Sequence, residues 1–193
     1  MTVRQIPRAD LRHLPRLLRR SWRRHRADGA ELSDLTVTTT WADGPSALAP
    51  GPYLFSLTQF TPTRVTDVLP IWLAGTSLAD QLVRIDEAVG VMTYIRPARH
   101  GQVGSLSVWT GPEGLETFMS LPDHIEIMNK YRPRGLPVRS ATWWSDHLDA
   151  DAAVREGLRL LDTHDTRRVE MPETPGVLPG CPHIDRPGSR TPR

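Results

Sequence analysis

Four stretches in the middle of the chain carry apolar residues in a pattern typical of β-strands. Tyr53–Phe60 and residues 89–96, 103–110 and 138–144 are rich in branched, aromatic and leucine side chains, which favour strands. Residues 97–101 contain proline and glycine and form the connection between the second and third stretches. These two strands are therefore expected to form a hairpin.

Apolar residues three and four positions apart predict helices between the strands. The first covers residues 66–86, and Gly75 is expected to begin a break within it. The second covers residues 112–131, with Thr110 as its N-cap and a break or kink at Pro122.

The last helix is expected to begin at Asp149 or Asp151 and to bury Val154, Leu158 and Leu161 on one side. The resulting order is strand, helix, strand, strand, helix, strand. This order predicts an α+β fold with a ferredoxin-like βαββαβ core. In this core both helices lie on one face of the sheet. Because the strands are apolar on both faces, we expect another subunit to cover the opposite face, so that the protein is a homodimer.

The regions that flank this core differ from it in composition. Residues 1–52 are interpreted as a basic amphipathic arm followed by a linker, with a short strand at residues 35–41. Residues 53–171 form the predicted domain, which ends in a short strand at residues 167–171. Residues 172–193 are rich in proline and glycine without any periodicity, and we expect them to be disordered.

The arm is strongly basic, whereas the rest of the chain is acidic. Residues 1–26 hold nine arginines against one aspartate, a net charge of +8; the whole chain carries +2, so the remainder carries −6. An anionic membrane or a nucleic acid would suit the charge. The apolar stripe Leu11, Leu14, Leu18 and Trp22 instead favours packing on the acidic body or on a partner subunit, and no nucleic-acid motif accompanies the charge.

Composition narrows the class of protein further. No apolar run has the length of a membrane span, and the N-terminus lacks the apolar segment of a secretory signal. Cys181 is the single cysteine, which excludes an internal disulfide and a cysteine-based metal site. With His183 it supplies two ligands at most, too few for a stable metal site. These features predict a cytoplasmic protein.

One candidate site stands out where the strand at residues 103–110 leads into the kinked helix. His124 follows Pro122, and Met128 and Tyr131 lie on the same side of the helix. A neutral imidazole suits a general base or a haem ligand. The structural alternative is a histidine that caps the kink or lies in the core.

A family resemblance covers roughly residues 53–171. The chain resembles the dimeric α/β-barrel superfamily, most closely a bacterial family of unassigned function and more distantly spheroidene monooxygenase and the antibiotic-biosynthesis monooxygenases. The residues that carry the resemblance are Ser105-Leu-Ser-Val-Trp109, Leu115-Glu-Thr-Phe118, His124, Met128, Trp143-Trp144 and Leu158-Arg-Leu-Leu161.

The resemblance implies a pocket between the sheet and its helices that binds a small hydrophobic molecule. It favours a monooxygenase-type oxidoreductase of secondary metabolism that is haem-dependent through His124 or cofactor-free; the alternative is a non-redox cyclase or lyase, or a ligand-binding protein. The candidate catalytic residues are His124, Tyr94 and Tyr131, and the candidate substrate-binding residues are Trp109, Phe118, Met128, Trp144 and Arg96. Ordinary packing is the structural alternative for the aromatic residues, and a solvated turn is the alternative for Arg96.

Overall fold

The computed structural model of the protein describes residues 35–99 and 101–163, together with Arg16, Arg19 and Ser21, which are helical. In this part of the chain no helix is long and apolar enough to cross a membrane. Several predictions fall outside the described residues: the stripe Leu11, Leu14, Leu18 and Trp22, the strand at residues 167–171, the tail 172–193, Cys181 and His183.

An antiparallel sheet forms the centre of the fold. Its two-residue strands β1 and β2 both pair with β4, and its long strands lie in the order β4-β5-β3-β6. This is the strand order of the ferredoxin-like βαββαβ unit, so the predicted fold class is confirmed. The strands are β1 (Val37–Thr38), β2 (Ala42–Asp43), β3 (Tyr53–Phe60), β4 (Ala88–Arg96), β5 (Gln102–Trp109) and β6 (Arg139–Ser145).

The segment interpreted as a linker contributes to the sheet. The single strand expected at residues 35–41 is instead β1, and β2 begins just beyond it. Trp41 lies directly over Gly90 of β4, where a Cβ atom would clash with the indole ring. The missing side chain at Gly90 therefore makes room for this segment on the edge of the sheet.

Within residues 35–163, four α-helices flank the sheet: α1 (Val68–Leu82), α2 (Pro112–Met119), α3 (Pro122–Tyr131) and α4 (Ala150–Asp162). The predicted break at Pro122 is confirmed, because α2 and α3 are separate helices that each begin with proline.

The helix boundaries correct two predictions and decide a third. The break expected at Gly75 is wrong, since α1 runs through it. One glycine destabilises a helix by about 1 kcal/mol, and the burial of large apolar side chains on α1 stabilises it by more than this. Thr110 is not a cap; its N–H donates to the carbonyl of Glu87 at 3.0 Å. Asp149 caps α4, accepting from the N–H of Ala152 at 2.9 Å.

The helix α4 covers the face of the sheet that was expected to meet another subunit. Phe55, Leu57 and Trp143 on that face are buried within this single chain, in a cluster with apolar residues of α4. Gly157 allows the close approach, because a Cβ there would lie 2.8 Å from both Leu57 Cδ1 and Trp143 Cη2. The argument for a partner on this face is therefore wrong, and the homodimer itself stays a prediction.

The helices α1, α2 and α3 lie on the other face of the sheet. Side chains on that face are large and apolar at both ends of the sheet and small and polar between the ends. One end holds a cluster that includes Leu54, Leu82 and Trp109. The other holds a cluster that includes Phe60 and Trp72. We infer that large side chains at the two ends keep the helices away from the middle of the sheet.

Candidate functional site

A cavity of about 680 Å³ lies between the sheet and the helices α1, α2 and α3. Its volume is in the range of small-molecule binding sites. The cavity exists because the sheet carries small side chains in its middle, between the two apolar clusters at its ends. The predicted pocket between sheet and helices is therefore present in the structure.

Two neighbouring rows of side chains form the sheet side of the cavity. Each row takes one residue from each of the four long strands, and seven of these eight residues are serine or threonine. We call these seven the hydroxyl floor. One row is Val91, Ser107, Ser56 and Thr142, and the other is Thr93, Ser105, Thr58 and Ser140.

Two tryptophans donate hydrogen bonds into the hydroxyl floor. Trp72 of α1 donates from Nε1 to Thr93 Oγ1 at 3.0 Å. Trp109 donates from Nε1 to Ser107 Oγ at 2.9 Å. Both bonds are buried, so the indoles fix the orientation of the hydroxyls they meet.

The opposite wall of the cavity comes from α2 and α3. His124, Met128 and Tyr131, on one side of α3 as the sequence predicts, all line the cavity together with Phe118 of α2. The ring of Phe118 lies 4.8 Å from that of His124, between their centroids.

The cavity opens to solvent beside His124. Met119 and Ile125 line the cavity, and each has about half of its surface exposed, at 49% and 48%. Arg132, also exposed, lines the cavity eight residues after His124. A bound molecule thus has an apolar entrance and one cationic group within reach.

The hydrogen bonds of His124 determine what its ring can do. Its Nδ1 lies 3.2 Å from the carbonyl oxygen of Met119 at the end of α2. A carbonyl only accepts, so Nδ1 carries the proton and Nε2 has the free lone pair. Partial burial lowers the pKa of His124, and the Met119 carbonyl opposes this more weakly. The ring is therefore neutral near pH 7, and His124, a residue of the cavity lining, both caps α2 and keeps a basic nitrogen that is unpaired among the described residues.

Four of the predicted site residues lie elsewhere. Trp109 and Trp144 pack in the apolar cluster at one end of the cavity rather than lining it. Tyr94 and Arg96 lie on the opposite face of the sheet, because side chains alternate along β4 and Thr93 faces the cavity.

Tyr94 has a structural environment on that opposite face. Its hydroxyl donates to the backbone carbonyl of Thr58 at 2.9 Å. Burial raises its pKa far above the ordinary range, against weaker lowering by Arg96. Tyr94 is therefore a fixed neutral hydrogen-bond donor that does not reach the cavity.

The sequence prediction missed most of the hydroxyl floor. Ser105 and Ser107 enter the sequence predictions only through the family resemblance, and the floor residues of β3, β4 and β6 do not enter them as site residues. A signal was available: in β3, β5 and β6 hydroxyl residues recur at every second position, which places them on one face of a strand.

The described residues contain no group of three histidine, cysteine or acidic side chains that could hold a metal ion. A haem would require one axial ligand, and His124 fits this role because Nε2 is free. Arg132 is the charged residue of the cavity lining that fits a haem propionate.

Comparisons with known proteins found similarity only in structure. No protein-family model matches the chain, and no curated protein matches it in sequence. The chain is similar to SnoaB, a cofactor-independent oxygenase from Streptomyces nogalater, with 10% identity, coverage of 52% of this chain and 99% of that chain, and a TM-score of 0.44.

The chain is also similar to two further solved structures. Rv0793 from Mycobacterium tuberculosis has 12% identity, coverage of 51% and 98%, and a TM-score of 0.43. An antibiotic biosynthesis monooxygenase has 7% identity, coverage of 50% and 99%, and a TM-score of 0.42.

Proposed function

We propose that the protein is a monooxygenase-type oxidoreductase that binds a flat hydrophobic small molecule in the cavity and uses His124 as its general base. The observation that carries this proposal is the state of His124, which lines the cavity with a neutral ring whose Nδ1 is fixed on Met119 and whose Nε2 has no hydrogen-bond partner among the described residues. The sequence resemblance to monooxygenases supports the same reaction class.

The chain's own groups supply deprotonation and positioning. His124 Nε2 removes a proton from an acidic C–H of the bound molecule, and the resulting carbanion reacts with dioxygen. In the balanced reaction a CH₂ group and O₂ give a C=O group and water, so the substrate supplies all the electrons. Phe118 packs against the His124 ring and limits its rotation.

Haem binding through His124 is the second candidate, favoured by the same free nitrogen. A bound haem supplies one-electron and dioxygen chemistry, while His124 would hold it and Arg132 would pair with a propionate. The visible spectrum of the purified protein separates the two: a Soret band that disappears in His124→Ala supports haem. A colourless protein that takes up no added haem contradicts it.

Oxygen uptake with anthrone, a planar ketone with an acidic CH₂ group, tests the general base. His124→Gln keeps an N–H group that can donate to Met119 but removes the basic nitrogen. We expect it to lower the rate about 10²–10⁴-fold, with binding changed only a few-fold. His147→Ala is the matched control, since His147 is exposed and lies outside the cavity lining.

The alternative classes predict different results in the same assay. A wild-type rate that survives in His124→Gln contradicts the proposed base. A protein that binds anthrone but consumes no oxygen supports the non-redox alternative, a cyclase, a lyase or a ligand-binding protein.

A further inference from the structure

We propose that one row of the hydroxyl floor is a set of hydrogen-bond donors that selects molecules with carbonyl or similar acceptor oxygens. Its specificity-determining residues are Thr93 and the pair Thr58 and Ser105, and Trp72 is the positioning residue for Thr93. The inference rests on the proposed function only in taking the cavity as the binding site.

The bond from Trp72 leaves the Thr93 hydroxyl free to donate. An indole N–H is only a donor, so Thr93 Oγ1 accepts at 3.0 Å and keeps its own hydrogen. Among the described residues no group accepts that hydrogen. Both backbone groups of Thr93 are already paired with Thr39. The hydrogen of Oγ1 is therefore available to a molecule in the cavity.

A second free donor comes from Thr58 and Ser105. Their hydroxyl oxygens lie 3.0 Å apart, and either group can donate to the other. Whichever accepts still has its own hydrogen, for which the described residues offer no other acceptor. Ser105 is opposite both Thr58 and Thr93 in the sheet. The donors thus lie along one row, with adjacent strands about 4.8 Å apart.

The other row differs at Ser107. Ser107 accepts from Trp109 at 2.9 Å and donates to the backbone carbonyl of Ser56 at 3.4 Å. Its hydrogen is thus already engaged, although weakly. Of the two floor hydroxyls that accept from a tryptophan, Thr93 is therefore the one that keeps its hydrogen for a bound molecule.

Because these donors are buried, they discriminate between molecules with and without an acceptor oxygen. Thr93 is only 2% exposed, and a buried donor without an acceptor is unfavourable. A carbonyl oxygen on the bound molecule pairs with it, whereas a molecule of the same shape without oxygen leaves it unpaired. A site of this kind rejects the analogue that lacks the hydrogen-bonding group.

Binding of two probes of the same shape to the full chain tests the proposal without any turnover. Anthraquinone-2-sulfonate and anthracene-2-sulfonate differ only in two carbonyl oxygens. We expect the quinone to bind about 25-fold more tightly, at roughly fivefold for each of the two hydrogen bonds. Thr93→Val should lower this preference about fivefold, with little change in anthracene-2-sulfonate binding, and Thr93→Ser should retain it.

Two further variants keep the test independent of Thr93. Thr58→Val with Ser105→Ala should lower the preference by a similar factor. Tyr94→Phe is the matched control: it removes a hydroxyl from the neighbouring position on the opposite face, and the preference should not change. Equal binding of the two probes by the wild type, no binding of either, or an equal loss of both in Thr93→Val overturns the proposal. His124→Gln should keep the preference, so a failure of the proposed base is seen separately.

Discussion

At the scale of single residues, the pKa of His124 gives the activity a pH dependence. Partial burial lowers this pKa below its usual value of about 6.5, and only the neutral ring is a base. Turnover should therefore be constant above about pH 6.5 and should fall about tenfold per pH unit below the folded-state pKa. A pH profile of kcat/KM with anthrone measures this fall, and His124→Gln should lack it.

The same shift affects stability with a defined sign. The unfolded chain binds a proton on His124 at higher pH than the folded chain does, so the free energy of unfolding falls as the pH drops below about 6.5. The loss ends at the folded-state pKa. Thermal melts between pH 5 and 7 compare this pH dependence of stability in the wild type and in His124→Gln.

For the activity, an acid limb of the wild-type kcat/KM profile centred above pH 6.5 contradicts the assignment of His124 as the base.

At the scale of elements, the position of α4 depends on Gly157. Its Cβ would lie 2.8 Å from Leu57 Cδ1 and from Trp143 Cη2, so Gly157→Ala must move α4 or the core beneath it. We expect Gly157→Ala to lower the free energy of unfolding by about 1–3 kcal/mol through overpacking. The higher helix propensity of alanine offsets part of this loss. Chemical denaturation measures the change.

Gly75→Ala is the matched control on α1. A Cβ at Gly75 meets nothing within 4 Å, so alanine should stabilise the protein by about 0.5–1 kcal/mol. Opposite signs at the two helical glycines are the expected result. If Gly157→Ala instead stabilises the protein, the prediction that α4 packs too closely on the sheet to accept a Cβ atom is wrong.

At the scale of the whole molecule, the basic arm is expected to pack on the acidic body. Ser21, one of its described residues, is buried, while Arg16 and Arg19 are exposed. Removing residues 1–26 should therefore lower the melting temperature, since each buried apolar side chain contributes about 1.5–3 kcal/mol before the entropy of ordering. A truncated chain that starts at Ala27 and melts like the full chain contradicts this view.

A charge control separates packing from electrostatic binding. Arg16→Gln with Arg19→Gln changes two exposed cations and should leave the melting temperature nearly unchanged. Binding of the arm to nucleic acid or anionic lipid would instead weaken steeply with salt. The homodimer is also a prediction at this scale, and its interface would need a surface other than the face covered by α4.

The sequence by itself determined the long strands, the separation of α2 from α3 and the position of His124. Strand and helix periods are local, and proline at the start of a helix acts through its own backbone. These local signals do not depend on which element packs against the strand or helix. The ferredoxin-like order followed from the succession of elements alone.

Only the tertiary structure decided which face of each strand meets the cavity. Strand β4 carries apolar side chains on both faces, so its alternation distinguishes two faces without saying which helix covers each. Tyr94 and Thr93 are neighbours in sequence, and the packing of α1 and α4 sends one to the core and the other to the cavity floor. The cavity itself arises from side chains of different size brought together from four strands, a property that no single segment contains.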